Sequence, residues 1–179
     1  AHGVWCCRVC RELGEAGVAA LRVSDTEVAA LKLEAWAEVE SLLRHENAGP
    51  SVAAVLIEPL QGEGGVNPGH PDFFQELREI CDKHNILLIL DEVQVGMGRS
   101  GRWWGYEQLG IEPDAFTLAK GLGGGHAIGA LVVRHGADVF APGDHASTFG
   151  GNPFACRAAL TVAREIERRQ LLQNVRERG

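Results

Sequence analysis

The stretch "ILLILDEVQVGMGRSGRWWGYEQLGIEPDAFTLAKG", Ile86 to Gly121, decides the fold. An aliphatic run, Ile86 to Leu90, ends in the acid Asp91, and a second apolar run, Ala115 to Ala119, ends twenty-nine residues later in the base Lys120. Short, unbroken apolar runs of this kind suit strands covered on both faces of a parallel sheet. Both charges then stand where a strand stops. The interval between the runs holds a Gly-rich turn and an aromatic segment, Trp103 to Leu109, which reads as a short helix. Trp103 and Trp104 read as a buried aromatic pair filling space beside the sheet.

Working outward, Val52 to Ile57 is another aliphatic run that ends in an acid, Glu58, ahead of the turn-rich Pro59 to Pro71. Asp72 to Asn85 has helical spacing, with Phe73, Leu77, Ile80 and Cys81 on one face and Pro71 at its start, where a missing N–H costs little. A strand is expected over Ile128 to Arg134 and one long helix from about Pro153 onward. Two adjacent strands without a helix between them make the sheet mixed rather than purely parallel. The fold class is therefore α/β: a mostly parallel, mixed sheet with helices on both faces. Upstream, Gly14 to Leu43 has helical spacing and is ended by the breakers Asn47 to Pro50. The expected organisation is an unplaced, partly helical segment over 1–50 and a sheet-containing unit over 51–179.

Composition narrows the function. Across 179 residues, 45% apolar and 23% charged content is an ordinary globular mixture, and a net charge of −7 argues against nucleic acid as a partner. The one dense basic run, Arg164 to Arg178, alternates with Glu165, Glu167 and Glu177 and reads as a solvated helix face. No apolar stretch is long enough to span a membrane, and the N-terminus has no signal-peptide layout, so a soluble, cytoplasmic protein is expected. Five cysteines form no even framework. Cys6, Cys7 and Cys10 contain a C-x-x-C without a second pair at zinc-finger distance, so no metal site is expected.

In an α/β sheet, ligands gather where the strands' carboxyl ends and the following loops converge. Glu58, Asp91 and Lys120 each fall at such an end. A lysine amine forms an imine with an aldehyde. An aspartate held against a pyridine nitrogen keeps that ring protonated, so that it draws electrons from a neighbouring carbanion. Such a pair is what pyridoxal phosphate chemistry requires. The glycines of "GLGGGHAIGA" read as a tight turn passing close to its neighbours, since a lone Gly cluster is weak evidence for nucleotide binding.

The same stretch, with "EPLQGEGG" and "GDHASTFGGNPFAC", resembles the class III, fold type I aminotransferases from about Ser51 to Gly179. The resemblance implies pyridoxal 5'-phosphate as cofactor, with Lys120 as the residue that holds it and then acts as base. It implies that Asp91 pairs with the ring nitrogen, Gln94 bonds the phenolic oxygen and Val93 packs on the ring face. Glu63 matches a glutamate that pairs with a substrate-binding arginine. Thr148 would reach a partner subunit's phosphate, implying a homodimer. Within the family the motifs are nearest those of members acting on ornithine-type donors. The reaction implied is transfer of the δ-amino group of N-acetylornithine to 2-oxoglutarate in arginine biosynthesis, with ornithine, succinylornithine and 4-aminobutyrate as alternative donors. His126-Ala127 stands where the family pattern has a small residue followed by proline. The family's phosphate loop, ring-stacking aromatic and substrate arginine have no counterpart in Ala1 to Pro50, and the small C-terminal domain is absent. The reading thus expects a partial large domain that keeps the fold and, as an isolated chain, holds its cofactor weakly or does not catalyse.

Overall fold

The computed structural model describes residues 52–144 and 146–179; the expected helix over Gly14–Leu43 and the cysteines Cys6, Cys7 and Cys10 lie outside them. In chain order the elements are β1 (Ala54–Ile57), β2 (Leu60–Gln61), β3 (Asn67–Pro68), α1 (Pro71–His84), β4 (Leu87–Asp91), β5 (Ala115–Leu118), β6 (Ala130–Val133), α2 (Pro153–Arg168) and α3 (Leu171–Arg178). One sheet runs β1-β4-β5-β6, and β2 and β3 form a small antiparallel ribbon inside the segment read as turns.

β1 and β4 are parallel with Ile57 opposite Leu90, and β4 and β5 are parallel with Asp91 opposite Thr117. β6 returns antiparallel to β5, as the short connection between them requires. The mixed sheet is therefore present. Side chains alternate between faces along each strand. Leu88 and Leu90 share one face with Phe116 and Leu118; Ile89 and Asp91 share the other with Ala115 and Thr117. The first face is the core. Leu88 and Leu90 are wholly buried there, α1 packs on β4, and α1 buries Phe74, Leu77 and Cys81. Each such aliphatic side chain contributes about 1.5–3 kcal/mol.

α1 begins at Pro71, behind His70, whose Nδ1 accepts the Asp72 N–H at 3.3 Å. It stops one residue before the sequence suggests, because Asn85 takes a left-handed backbone (φ 56°) and its N–H turns back to the Asp82 and Cys81 carbonyls. Phe74, not Phe73, is the aromatic residue buried against the sheet; Phe73 and Ile80 are only partly covered. The aromatic segment forms a single 3-10 turn, Gly105–Gln108, with Trp103 and Trp104 half-buried. The Trp104 and Tyr106 rings lie 5.0 and 5.5 Å from that of Phe116, closing the core face of β5. The expected long C-terminal helix is two helices, because Gln170 is left-handed (φ 52°) between α2 and α3. Asn152 caps α2 by accepting the Ala155 N–H at 2.9 Å.

The amino end of β5 is fastened by Asp114, which is 3% exposed. Its Oδ2 accepts the Leu88 N–H and an Arg78 N–H, both at 2.8 Å, and Oδ1 accepts from Arg134. One carboxylate thus ties β4, α1 and the end of β6 to the start of β5. Burial acts to raise its pKa, but the Leu88 N–H and the guanidinium groups of Arg78 and Arg134 outweigh burial and hold it below the ordinary carboxylate range.

Candidate functional site

The opposite, carboxyl ends of the parallel strands carry the residues singled out from the sequence. Glu58 follows β1, but its Oε2 accepts the Gly62 N–H at 3.0 Å, so this acid shapes the turn into β2. Gly62 leaves room for the end of the Gln94 side chain. A Cβ at that position would lie 2.0 Å from the Gln94 Oε1. Gln94 is thereby seated directly on the Gly62 backbone, and its Nε2 donates to the Glu63 Oε1 at 3.1 Å.

Asp91 ends β4. Its Oδ1 accepts two hydrogen bonds, from the Val93 N–H at 3.0 Å and from the Thr117 hydroxyl of the neighbouring strand at 3.1 Å. Its Oδ2 accepts none among the described residues, although a carboxylate oxygen has two lone pairs. Val93 is half-buried beside it. Lys120 lies just past β5, three residues beyond the register partner of Asp91, and its side chain is exposed. Its backbone is left-handed (φ 43°), uncommon for a residue with a side chain, and it opens the 3-10 turn Lys120–Gly123. An exposed primary amine and a carboxylate with one uncommitted oxygen at one end of a sheet suit a ligand presenting an aldehyde to the first and an N–H to the second.

Of the glycines after Lys120, Gly123 and Gly124 sit close against their neighbours, whereas Gly125 has open space around it. Gly124 has φ 57°, and a Cβ there would lie 2.7 Å from a Val162 methyl of α2. His126, standing in the family's small-residue position, sets its ring edge-on to Phe154 at 4.8 Å, so the loop is held against α2 by an aromatic contact rather than stiffened by proline. Thr148 is exposed in the loop before α2 and makes no hydrogen bond to Asp91, Gln94, Glu63 or Lys120. The chain therefore brings Gln94 to Glu63 and Asp91 to Val93 by direct bonds, and leaves Thr148 apart from both pairs.

Three residues of this region were not singled out from the sequence. Thr117 is a polar residue inside the run "AFTLA", and that break in an apolar strand was the available signal. Gly62 had only its place in a Gly-rich turn. Glu92, next to Asp91, is 1% exposed and accepts the Gly105 and Tyr106 N–H groups at 2.9 Å each. Burial pushes its pKa up, and those two N–H bonds offset only part of that. Both of its carboxylate oxygens are taken up by the aromatic turn, which it anchors. Among the described residues no cluster of His, Cys, Asp or Glu could hold a metal ion, and no helix is long and apolar enough to cross a membrane.

The sheet carries an acid at one strand end and an exposed lysine past the next, and the aminotransferase class-III family model matches residues 12–179. The chain belongs to that family, whose members use pyridoxal 5'-phosphate. The match takes in most of 1–50, where no motif had been placed. The chain is 80% identical over 141 residues to the acetylornithine aminotransferase of Parasynechococcus marenigrum, covering 78% of this chain and 34% of that protein. It is 67% identical over 128 residues to the acetylornithine aminotransferase of a Nostoc species, covering 72% and 30%. Among solved structures, the ornithine aminotransferase of Toxoplasma gondii, described with partial PLP occupancy at its active site, is similar at a TM-score of 0.68 and 39% identity. That alignment covers 75% of this chain and 31% of the other. A transaminase from the marine bacterium Virgibacillus is similar at a TM-score of 0.72 and 33% identity, covering 80% and 34%. The chain spans about a third of the length of the curated relatives it matches.

Proposed function

We propose that this chain is the cofactor-binding core of an enzyme that transfers the δ-amino group of N-acetylornithine to 2-oxoglutarate, giving N-acetylglutamate semialdehyde and glutamate. The enzyme works as a cytoplasmic homodimer, with 51–179 as part of its large domain. The observation that carries the reading is the Asp91 carboxylate, pinned through Oδ1 and open at Oδ2, at the same sheet end as an exposed Lys120. The 80% identity to an acetylornithine aminotransferase supports the choice of donor.

The residues fit pyridoxal phosphate. The uncommitted Oδ2 is the acceptor that a protonated ring nitrogen needs, and such a charge-assisted bond is worth about 1.5–3 kcal/mol. Gln94, seated on Gly62, keeps a second N–H for the phenolic oxygen after donating to Glu63. Val93 offers a half-buried apolar surface for one ring face. When bound, the cofactor supplies an electron sink for the carbon that loses its proton. Lys120 would hold the aldehyde carbon and, once released, would take the proton from the amino-bearing carbon on its Nζ and deliver it to the former aldehyde carbon, the reverse transfer serving the second half of the exchange. Asp91 keeps the ring-nitrogen proton in place throughout. Glu63 holds the substrate-binding arginine supplied by the rest of the protein, and Thr148 serves the partner subunit's phosphate.

The test is the full-length protein that carries this chain, assayed with pyridoxal phosphate, 2-oxoglutarate and four donors: N-acetylornithine, ornithine, succinylornithine and 4-aminobutyrate. The expected result is the highest kcat/KM with N-acetylornithine, its loss in Lys120→Ala, and a borohydride-reduced cofactor mapped to Lys120. Ornithine is the first competitor, because the Toxoplasma structural neighbour is an ornithine aminotransferase. A preference for ornithine refutes the substrate, and a label on Lys83 or Lys32 refutes the site.

A further inference from the structure

We propose that Thr117 is a positioning residue for the cofactor's ring nitrogen: its hydroxyl fixes the rotation of the Asp91 carboxylate so that Oδ2, and not Oδ1, meets the ring. This rests on the reading above and adds a residue to it.

Three observations carry it. First, the Asp91 Oδ1 already has two donors, the Val93 N–H at 3.0 Å and the Thr117 hydroxyl at 3.1 Å, which together use its two lone-pair directions. A carboxylate held by a single donor can turn about its last torsion, because that torsion is broad. Two donors from different segments, one in the following turn and one on the next strand, remove that freedom. Second, the direction of the hydroxyl is not open. An ionised carboxylate only accepts, so Thr117 donates, and a β-branched side chain in a strand has restricted χ1. Third, the placement is a consequence of register. Asp91 and Thr117 are cross-strand partners on the same sheet face, and the Glu92 N–H donates to the Thr117 carbonyl at 3.1 Å, so the backbone fixes where the hydroxyl starts from. Thr117 also stands three residues before Lys120, so one short segment delivers both the lysine and the group that aims the acid.

The role is indirect. Thr117 touches Asp91, and Asp91 meets the ring, so losing the hydroxyl leaves every reacting group present and its aim degraded. In the full-length protein, Thr117→Val keeps shape and strand preference while deleting the donor. We expect kcat to fall about ten-fold, the size of one hydrogen bond to a charged group, with KM for the amino donor within about two-fold of wild type. Thr117→Ser, which keeps the hydroxyl, should recover most of kcat. The readout beyond activity is the 15N chemical shift of ring-labelled pyridoxal phosphate: it should move toward the unprotonated value in Thr117→Val and in Asp91→Ala, and stay near wild type in Thr117→Ser. In an Asp91→Ala background, adding Thr117→Val should change nothing further. Wild-type shift and kcat in Thr117→Val overturn the inference while leaving the functional reading intact. Equal losses in Val and Ser, with an unmoved 15N shift, also overturn it, since they mark a packing role. A wild-type protein that takes up no pyridoxal phosphate overturns the functional reading and this inference together.

Discussion

Replacing Asp114 by Ala should destabilise the sheet at its amino end, and the structure allows the size to be worked out. The substitution removes the only described acceptor of the Leu88 N–H, in a strand whose Leu88 side chain is wholly buried; an orphaned buried donor costs about 1–3 kcal/mol. Arg78, with a side chain 13% exposed, loses one of two carboxylate partners and keeps Asp82 at 2.8 Å, so its share is about 1.5–2 kcal/mol, that of one charged hydrogen bond. Arg134 is half exposed, and its pair is worth little more than a surface salt bridge, under about 1 kcal/mol. The total is about 2.5–6 kcal/mol. Asp114→Asn keeps an oxygen for Leu88 and should cost about half as much. The sign with pH follows from the lowered pKa. A carboxylate depressed in the folded state contributes fully above its unfolded pKa of about 3.9, and the contribution is lost as pH falls through the lower folded value. Urea unfolding of the full-length protein, followed by circular dichroism at pH 7 and again below pH 4, measures both effects. A pH 7 loss below about 1 kcal/mol for Asp114→Ala, or an Asn variant as damaged as Ala, refutes the reasoning.

Gly62→Ala places a methyl group 2.0 Å from the Gln94 amide oxygen and should break the Gln94–Glu63 bond, weakening cofactor affinity about ten-fold in equilibrium dialysis; wild-type affinity would show that Gln94 relocates freely. Cys81, fully buried with its thiol pushed up to about 11 by burial, should stay unmodified by iodoacetamide at pH 8 until the protein unfolds, as peptide mapping will show. Gln170→Gly relieves a left-handed backbone between α2 and α3 and should raise stability by about 0.5–1 kcal/mol in the same urea titration, whereas Gln170→Val should lower it.

The strands were legible because their apolar runs are continuous and their ends are charged, so Asp91 and Lys120 could be placed at strand ends from the letters alone. What periodicity could not supply was contact between residues distant in sequence. Phe73 and Phe74 are adjacent and equally apolar, and it is Phe74 that the fold buries. The break at Gln170 was hidden because nothing in "ERRQLLQ" is a helix breaker, and the structure turns there through a left-handed backbone. Thr117, Asp114 and Glu92 read as isolated polar letters in a strand or loop, and their partners lie 26, 36 and 14 residues away. Fold followed from local pattern, whereas the fastening of the site followed from register.

The register of β4 on β5 has one more consequence, in the time domain. The final rung of that ladder is the Glu92 N–H donating to the Thr117 carbonyl, one residue on from Asp91, whose side chain bonds the hydroxyl of the same Thr117. An opening that separates β4 from β5 at this rung exposes the Glu92 amide to solvent and parts Thr117 from Asp91 together. Amide exchange at this single position therefore reports how often the two strand ends part, and a ligand that binds only the closed form should slow it.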